Sequence, residues 1–376
     1  MWKYPIIDLH ATWLVMNPIQ GCPNRCKYCF LNGINLTGKK PEELVQPEDA
    51  VKLLKESRLY NKEIPICIES QTDAFATPAN IKYVMRLLEE LDKEKIMNPK
   101  IFITKCGITE EFITKVEELK NKGHKFVFFL SYSGLDKDIE IGIDKEKIKN
   151  NFIKLFKANL DIVHYWRPFI PQNSSKDKIL EVYNFVKNYA KCSIAIGLKV
   201  QDNILENMKF WPDLINKENV TKAESVWDKN AYESIYLNNT LLNNDYPIYQ
   251  TTSCALAYVL KQGERNAFYN EKECLNYNKC PESQRKICEK YYKKNLNITE
   301  NQVFKMLDDL KIEYSKENTQ IKINEHKKGI EITNIELEMK EFTYLTQMTK
   351  HKIYANKDEK DYYWNTSVNN ANKIFL

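Results

Sequence analysis

The sequence predicts an α/β fold: an open, partial barrel of six β/α units, followed by a cysteine-rich region and a small α+β unit. Two observations carry this reading. Between residues 13 and 200, short apolar runs alternate with amphipathic helical stretches, the pattern of a parallel sheet with right-handed crossovers. Six units fill about 190 residues, whereas a closed eight-stranded barrel typically needs about 250.

The elements follow in order. The first strand is the apolar run Trp13 to Met16, and the first helix runs from about Pro47 to Arg58 with Ala50, Val51, Leu53 and Leu54 inward. Ile64 to Glu69 is the second strand. The second helix, Asn80 to Lys93, sets Ile81, Val84, Met85, Leu88 and Leu91 on one continuous face. Ile101 to Lys105 is the third strand. Thr109 caps the next helix ahead of Glu110 and Glu111, Phe112, Val116 and Leu119 form its buried stripe, and Gly123 stands where a left-handed C-cap belongs. Lys125 to Ser131 is the fourth strand and Ile162 to Arg167 the fifth, with a helix at about Lys147 to Asn159 between them. A helix over Lys178 to Ala190 then leads to the sixth strand, Ser193 to Val200.

From Gln201 to Gln250 the text turns Asn-rich and aromatic-punctuated, a loop-rich connector with one helix candidate around Tyr232 to Asn239. The cysteine-rich region occupies 251–297. The last unit, 298–376, opens with the capping box Thr299/Gln302 and a helix burying Val303, Met306, Leu307 and Leu310. Alternating runs at Gln320 to Asn324 and Gly329 to Leu337 read as a hairpin joined through His326-Lys327-Lys328. That unit is a winged-helix-like remnant or a plain α+β cap, and the polar end after Tyr363 reads as a tail or lid.

A chain of 376 residues suggests two or three domains, or one large barrel with appendages. No apolar run approaches the roughly 20 residues of a membrane span, and the start Met1-Trp2-Lys3-Tyr4-Pro5 lacks signal-peptide features. A cytoplasmic protein is expected. In that compartment ten cysteines point to metal binding rather than disulfides. The net charge of +5 permits a polyanionic substrate without demanding one. The five histidines, His10, His124, His164, His326 and His351, contain no pair with ligand spacing.

The first cysteine group is Cys22, Cys26 and Cys29, at C-x3-C-x2-C directly after the first strand. Three thiolates hold a 4Fe-4S cubane with one iron left open for an exchangeable ligand. A structural zinc knuckle or incidental buried cysteines are the bland alternatives, but a knuckle pairs a short step with a second pair 12 or more residues on, and no second Cys pair or His pair follows within 35 residues.

This spacing, with Tyr28 before the last cysteine and Phe30 after it, resembles the signature of the radical S-adenosylmethionine (SAM) superfamily. The resemblance implies that SAM's amino and carboxylate groups chelate the open iron, and that one electron cleaves SAM to methionine and a 5′-deoxyadenosyl radical. The predicted strand ends sharpen it. Strand two ends in Glu69-Ser70-Gln71-Thr72-Asp73-Ala74-Phe75-Ala76-Thr77-Pro78, strand three in Thr104-Lys105-Cys106, strand four in Ser131-Tyr132-Ser133-Gly134 and strand five in Arg167-Pro168. Over residues 13 to 200 this set is similar to the branch of spore photoproduct lyases and "DNA repair photolyase"-like proteins. The resemblance implies that Thr72, Lys105 and Ser131 hold SAM's methionine carboxylate, amine and ribose, and that the Tyr28 backbone approaches the adenine. Their bland alternatives are a solvated lysine and strand-end caps. Glu69 stands where the glutamate of a G-G-E motif would be, without the two glycines, and is followed by Ser70. The hydrogen-donating cysteine of true spore photoproduct lyases is absent from this strand end, and Cys67 reads as a small core residue, so dimer-lyase activity is not carried over.

The second group, Cys254, Cys274, Cys280 and Cys288, is C-x19-C-x5-C-x7-C. Four cysteines can fully ligate an auxiliary 4Fe-4S cluster, and several radical SAM families carry one C-terminally. Structural zinc and free thiols are the alternatives. Lys279, Arg285, Lys286, Lys290, Tyr291, Tyr292, Lys293 and Lys294 nearby form a solvated helix face or a phosphate- and base-contacting one. The expected function is a radical SAM enzyme acting on a nucleic-acid or nucleotide substrate. Two alternatives stand beside it: modification of a peptide or small molecule using the auxiliary cluster, and a non-catalytic iron-sulfur protein. A small electron donor such as ferredoxin or flavodoxin is the expected partner, under anaerobic conditions.

Overall fold

A computed structural model describes residues 5–355 and 373–376, apart from 224, 239, 240, 243, 244, 268–273, 275, 295, 296 and 325–328. Eight strands lie side by side in chain order: β1 (Ile7–Leu9), β2 (Leu14–Met16), β3 (Ile66–Ile68), β4 (Lys100–Thr104), β5 (Phe126–Leu130), β6 (Asp161–Trp166), β7 (Cys192–Ala195) and β8 (Ile248–Tyr249). β2 to β8 run parallel, and β1 pairs antiparallel with β2. The six predicted strands are β2 to β7. The two additions are short edge strands; β8 pairs only two residues, Ile248 and Tyr249, with β7 and lies within the stretch read as connector. Two residues carry no periodicity that a sequence pattern could show.

Five helices fill the crossovers: α1 (Pro47–Glu56), α2 (Pro78–Lys93), α3 (Glu110–Asn121), α4 (Lys145–Lys157) and α5 (Lys176–Val186). Thr77 and Thr109 cap α2 and α3 by accepting from the backbone N–H groups of Asn80 and Phe112. Gly123, at φ +99°, ends α3 in the left-handed region that glycine favours. One expectation fails on α1. Pro47, Ala50, Val51 and Leu54 are buried as one stripe, but Leu53 is 37% exposed. At 100° per residue Leu53 falls outside the arc spanned by the other four, which short-range apolar content alone does not reveal.

Strand alternation divides the interior in two. Leu14, Met16, Ile66, Ile68, Phe102, Phe128 and Trp166 face the helices. Val15, Cys67, Ile101, Val127, Phe129, Val163, Cys192, Ile194 and Tyr249 face the other way and pack with α6 (Thr252–Leu260). Cys67 is fully buried in this second layer, in line with its reading as a core residue.

Beyond α6 come α7 (Glu282–Lys294), α8 (Glu300–Asp309), a hairpin of β9 (Ile321–Asn324) and β10 (Gly329–Ile332), α9 (Met339–Thr349) and β11 (Lys352–Tyr354), which adds parallel to β10. The predicted capping box at Thr299 and Gln302 is present. The hairpin connection at 326–328 and the polar stretch 363–372 lie outside the described residues. Val303, Leu307, Ile330 and Leu345 join the same continuous core as the helix-covered face of the large sheet. The Arg58 guanidinium meets the buried Glu341 carboxylate at 2.8 Å, and the Gln347 side-chain amide donates to the Ala11 carbonyl at 2.8 Å. No helix among the described residues is long and apolar enough to cross a membrane.

Candidate functional site

The cysteine loop leaves β2 and is braced from several sides. Gly21 turns it at φ +98°, where a Cβ would come within 2.8 Å of the Lys40 carbonyl oxygen. The Thr72 hydroxyl donates to the Gly21 carbonyl at 2.6 Å. The Asn32 side-chain amide donates to the carbonyls of Cys26, Lys27 and Cys29 at 3.2, 3.3 and 2.9 Å. Arg25–Cys26 pairs antiparallel with Glu140–Ile141, Cys26 standing opposite Glu140.

Cys22, Cys26 and Cys29 line one cavity of about 310 Å³. Its walls include every polar group expected from the strand ends, Tyr28, Glu69, Ser70, Thr72, Lys105 and Ser131, and also Asp73, Tyr165, Arg167 and Lys199. The juxtaposition follows from the parallel sheet, which brings the C-terminal ends of β2 to β6 to one rim.

Within the cavity several side chains have partners that spacing does not show. The Lys105 ammonium donates to Glu140 Oε1 at 2.8 Å and to the Ser131 carbonyl at 3.3 Å, and lies 5.6 Å from the centre of the Tyr28 ring. Tyr28 donates its hydroxyl to the same Glu140 oxygen, as does Ser133 at 2.7 Å. Ser70 donates its N–H and hydroxyl to Asn17 Oδ1 at 2.8 and 3.0 Å. Asp73 is saturated by the Thr104 hydroxyl and the N–H groups of Lys105 and Phe75. Glu69, at φ +63°, is 1% exposed, and among the described residues neither of its oxygens has a hydrogen-bond partner. Burial raises its carboxyl well above the ordinary range, against a weaker pull from the Ile19 backbone.

Glu140, Arg167 and Lys199 have no role in the sequence reading. Glu140 sits in Ile139-Glu140-Ile141, where alternation with two isoleucines suggests a solvent-facing strand position, yet it is 2% exposed. Arg167 closes the fifth strand and donates to the Tyr165 hydroxyl at 2.8 Å; Lys199 donates to the Ala223 carbonyl at 3.1 Å. Among the described residues neither cation meets a carboxylate.

The three thiols share this cavity with the Lys105 ammonium. Burial pushes the Cys22 thiol up to about 12, with Asp73 adding to the rise, and raises Cys26 and Cys29 as well, while Lys105 pulls the last two down. Metal ligation deprotonates such thiols outright. Among the described residues, no three Cys, His, Asp or Glu side chains converge as a site for one metal ion. Cysteines that each bind a different iron of a cubane need not converge on a point.

The second group is gathered too. Cys254 on α6, Cys274, Cys280 and Cys288 on α7 line a separate cavity with Tyr249, Glu264 and Gln284. At about 30 Å³ it is far smaller than the first. The Tyr249 hydroxyl stands 3.7 Å from Cys280 Sγ, and the Gln284 amide donates to Cys288 Sγ at 3.4 Å. Burial pushes Cys274 up to about 12 and Cys288 to about 11. On α7 an exposed Lys286–Glu282 pair fits the solvated-face reading, while Tyr292 is buried.

Comparison with known proteins adds to this geometry. Residues 16–189 match the family described as the Radical SAM superfamily. No curated protein sequence matches the chain. Among solved structures, spore photoproduct lyase complexed with dinucleoside spore photoproduct is 13% identical at a TM-score of 0.44, over 56% of this chain and 64% of that one. Streptococcus suis SuiB bound to S-adenosylmethionine is 12% identical at 0.38, over 68% and 63%. SuiB bound to the precursor peptide SuiA is 14% identical at 0.37, over 54% and 45%. The chain thus spans a little under two thirds of the length of the first two.

Proposed function

We propose that this chain, whose residues 16–189 match the Radical SAM superfamily, cleaves SAM reductively at a 4Fe-4S cluster held by Cys22, Cys26 and Cys29. The observation that carries this reading is the single cavity shared by those cysteines and by Tyr28, Glu69, Ser70, Thr72, Lys105 and Ser131. The cluster, when bound, supplies the electron that splits SAM into methionine and a 5′-deoxyadenosyl radical.

The chain's own residues position and shield. Lys105 provides a point charge for SAM's carboxylate. Glu69, buried and without a hydrogen-bond partner among the described residues, provides an acceptor for SAM's amine. Ser131 and the Tyr28 backbone face ribose and adenine. Thr72 acts mainly by holding the Gly21 carbonyl and hence the cysteine loop. Trp13, Ile103 and Leu198 give the cavity apolar wall that keeps water from a reactive carbon radical.

The substrate is a nucleotide or nucleic acid, entering over the strand ends where the Arg167 guanidinium lies over the Tyr165 ring and Lys199 lines the same cavity. Cations next to an aromatic face suit phosphate and base together. A peptide or small-molecule substrate is the second reading, favoured by the second cysteine cavity as an auxiliary 4Fe-4S site. A small electron carrier such as a ferredoxin or flavodoxin supplies the electron.

The test is anaerobic reconstitution with iron and sulfide, followed by measurement of 5′-deoxyadenosine from SAM under dithionite. The parent turns SAM over; Cys26→Ala, left with two ligands, does not. Parent-rate turnover by Cys26→Ala refutes the reading. Oligonucleotide affinity that falls steeply with salt supports the nucleic-acid substrate, and its absence moves the assignment to the peptide reading.

A further inference from the structure

We propose that Glu140 is a resident counter-anion that competes with SAM for Lys105, so that SAM entry takes the ammonium from one carboxylate to another. This rests on the reading of Lys105 as a SAM ligand. Glu140 lies 35 residues from Lys105 in sequence, and its place is set by a short strand pairing. Arg25–Cys26 aligns with Glu140–Ile141, and the Lys27 N–H donates to the Ile139 carbonyl at 3.0 Å. The pairing holds the Glu140 carboxylate between the cysteine loop and the end of β4.

One carboxylate oxygen, Oε1, then collects three donors: the Lys105 ammonium at 2.8 Å, the Ser133 hydroxyl at 2.7 Å and the Tyr28 hydroxyl. Two of the donors are neutral and remain when the ammonium leaves, so Glu140 stays solvated by protein. Lys105 is the mobile member. It has a flexible four-carbon stem and a point charge without bidentate geometry, and its side chain is 16% exposed where Glu140's is 3%. The cavity with the three cysteines lies on the side from which an incoming carboxylate would take it.

Such an exchange has two consequences. Resting Lys105 is held in a neutral pair rather than as a lone buried cation, which keeps the SAM-free cavity stable. SAM's affinity is lowered by whatever the Glu140 contact is worth, because that contact is surrendered on binding. Glu140 is thus a positioning residue, acting on SAM only through Lys105.

The experiment uses the reconstituted full chain and measures SAM affinity by calorimetry, iron content, and the change SAM makes in the EPR spectrum of the reduced cluster. Glu140→Gln keeps an acceptor for Tyr28 and Ser133 and removes the charge. It should bind SAM roughly 5- to 20-fold more tightly, the difference between a charge-assisted and a neutral hydrogen bond to Lys105, with parent iron content and the SAM-induced spectral change retained. Lys105→Ala should bind roughly 10- to 100-fold more weakly, and Glu140→Gln should have no further effect in that background. Unchanged or weaker SAM binding in Glu140→Gln, with iron intact, overturns the proposal. If Glu140→Gln fails to hold iron, Glu140→Asp decides: its shorter carboxylate should release Lys105 and tighten SAM binding, and no gain in affinity overturns the proposal. Loss of iron in both variants shows that Glu140 braces the cysteine loop instead and overturns it too. Should Lys105→Ala bind SAM as the parent does, the reading of Lys105 itself falls; should only the Glu140 variants be silent, that reading survives and the competition does not.

Discussion

Glu69 shows at the scale of one residue how a site can be built at the expense of stability. Its carboxyl is buried at a left-handed backbone position, with no hydrogen-bond partner for either oxygen among the described residues. Burial raises its pKa well above the ordinary value, so the folded chain holds a proton that the unfolded chain has lost above about pH 4.3. Stability therefore falls as pH rises from there toward the folded pKa. Glu69→Gln should stabilise the SAM-free chain at pH 8 by about 1–3 kcal/mol, flatten that pH dependence and weaken SAM binding. Thermal melts at pH 5 and pH 8, with and without SAM, check this. A variant no more stable than the parent at pH 8 would show that the carboxyl is already satisfied.

At the scale of elements, β4 begins with a fully buried lysine. Lys100 stands 2.7 Å from His124 Nδ1, while His124 Nε2 meets Asp92 at 2.9 Å, a chain linking the starts of β4 and β5 to the end of α2. Burial lowers the Lys100 pKa to about 7, against a smaller pull from Asp92. The unfolded chain binds the extra proton between about pH 7 and 10, so this group's contribution rises with pH across that window and is lost as pH falls toward 7. Lys100→Met should remove the difference. Its stability relative to the parent should be greater at pH 7 than at pH 9.5 by on the order of 3 kcal/mol, read from denaturant midpoints at the two pH values. Equal parent-minus-variant differences at both would mean the amine titrates normally. α1 makes the complementary point about elements: its register is set by the arc of Pro47, Ala50, Val51 and Leu54, and Leu53 is excluded by angle rather than by chemistry.

For the whole molecule, the question is what the second cysteine group holds. The two groups occupy separate cavities, one at the strand ends and one against α6 and α7. The Tyr249 and Gln284 contacts to Cys280 and Cys288 are the kind that tune a bound cluster. If it holds 4Fe-4S, the reconstituted parent carries about eight irons, and Cys254→Ala loses about half of them while SAM cleavage continues at a reduced rate. Iron and zinc analysis of the two proteins is the check. Four irons in the parent, or zinc at the second site, would fit the small cavity of about 30 Å³ and end the auxiliary-cluster reading.

By itself the sequence determined the parts whose information is local. Three cysteines within eight residues mark a candidate ligand set wherever the loop lies, and apolar periodicity over each strand and helix defines β2 to β7 and α1 to α5. Parallel topology then sends the strand ends to one rim, so the cavity residues Glu69, Ser70, Thr72, Lys105 and Ser131 are legible as a set. Their partners are not. Glu140 pairs with Lys105 across 35 residues, Asn17 with Ser70 across 53, and Gly21 with Thr72 across 51. Only the tertiary structure decided these contacts. They depend on how loops close between strands, and a buried Glu between two isoleucines reads in sequence like an exposed one. The two-residue strand β8 and the packing of Cys254 against the inner layer belong to the same category, because each is stabilised by neighbours distant in the chain and leaves no periodic trace in its own few residues.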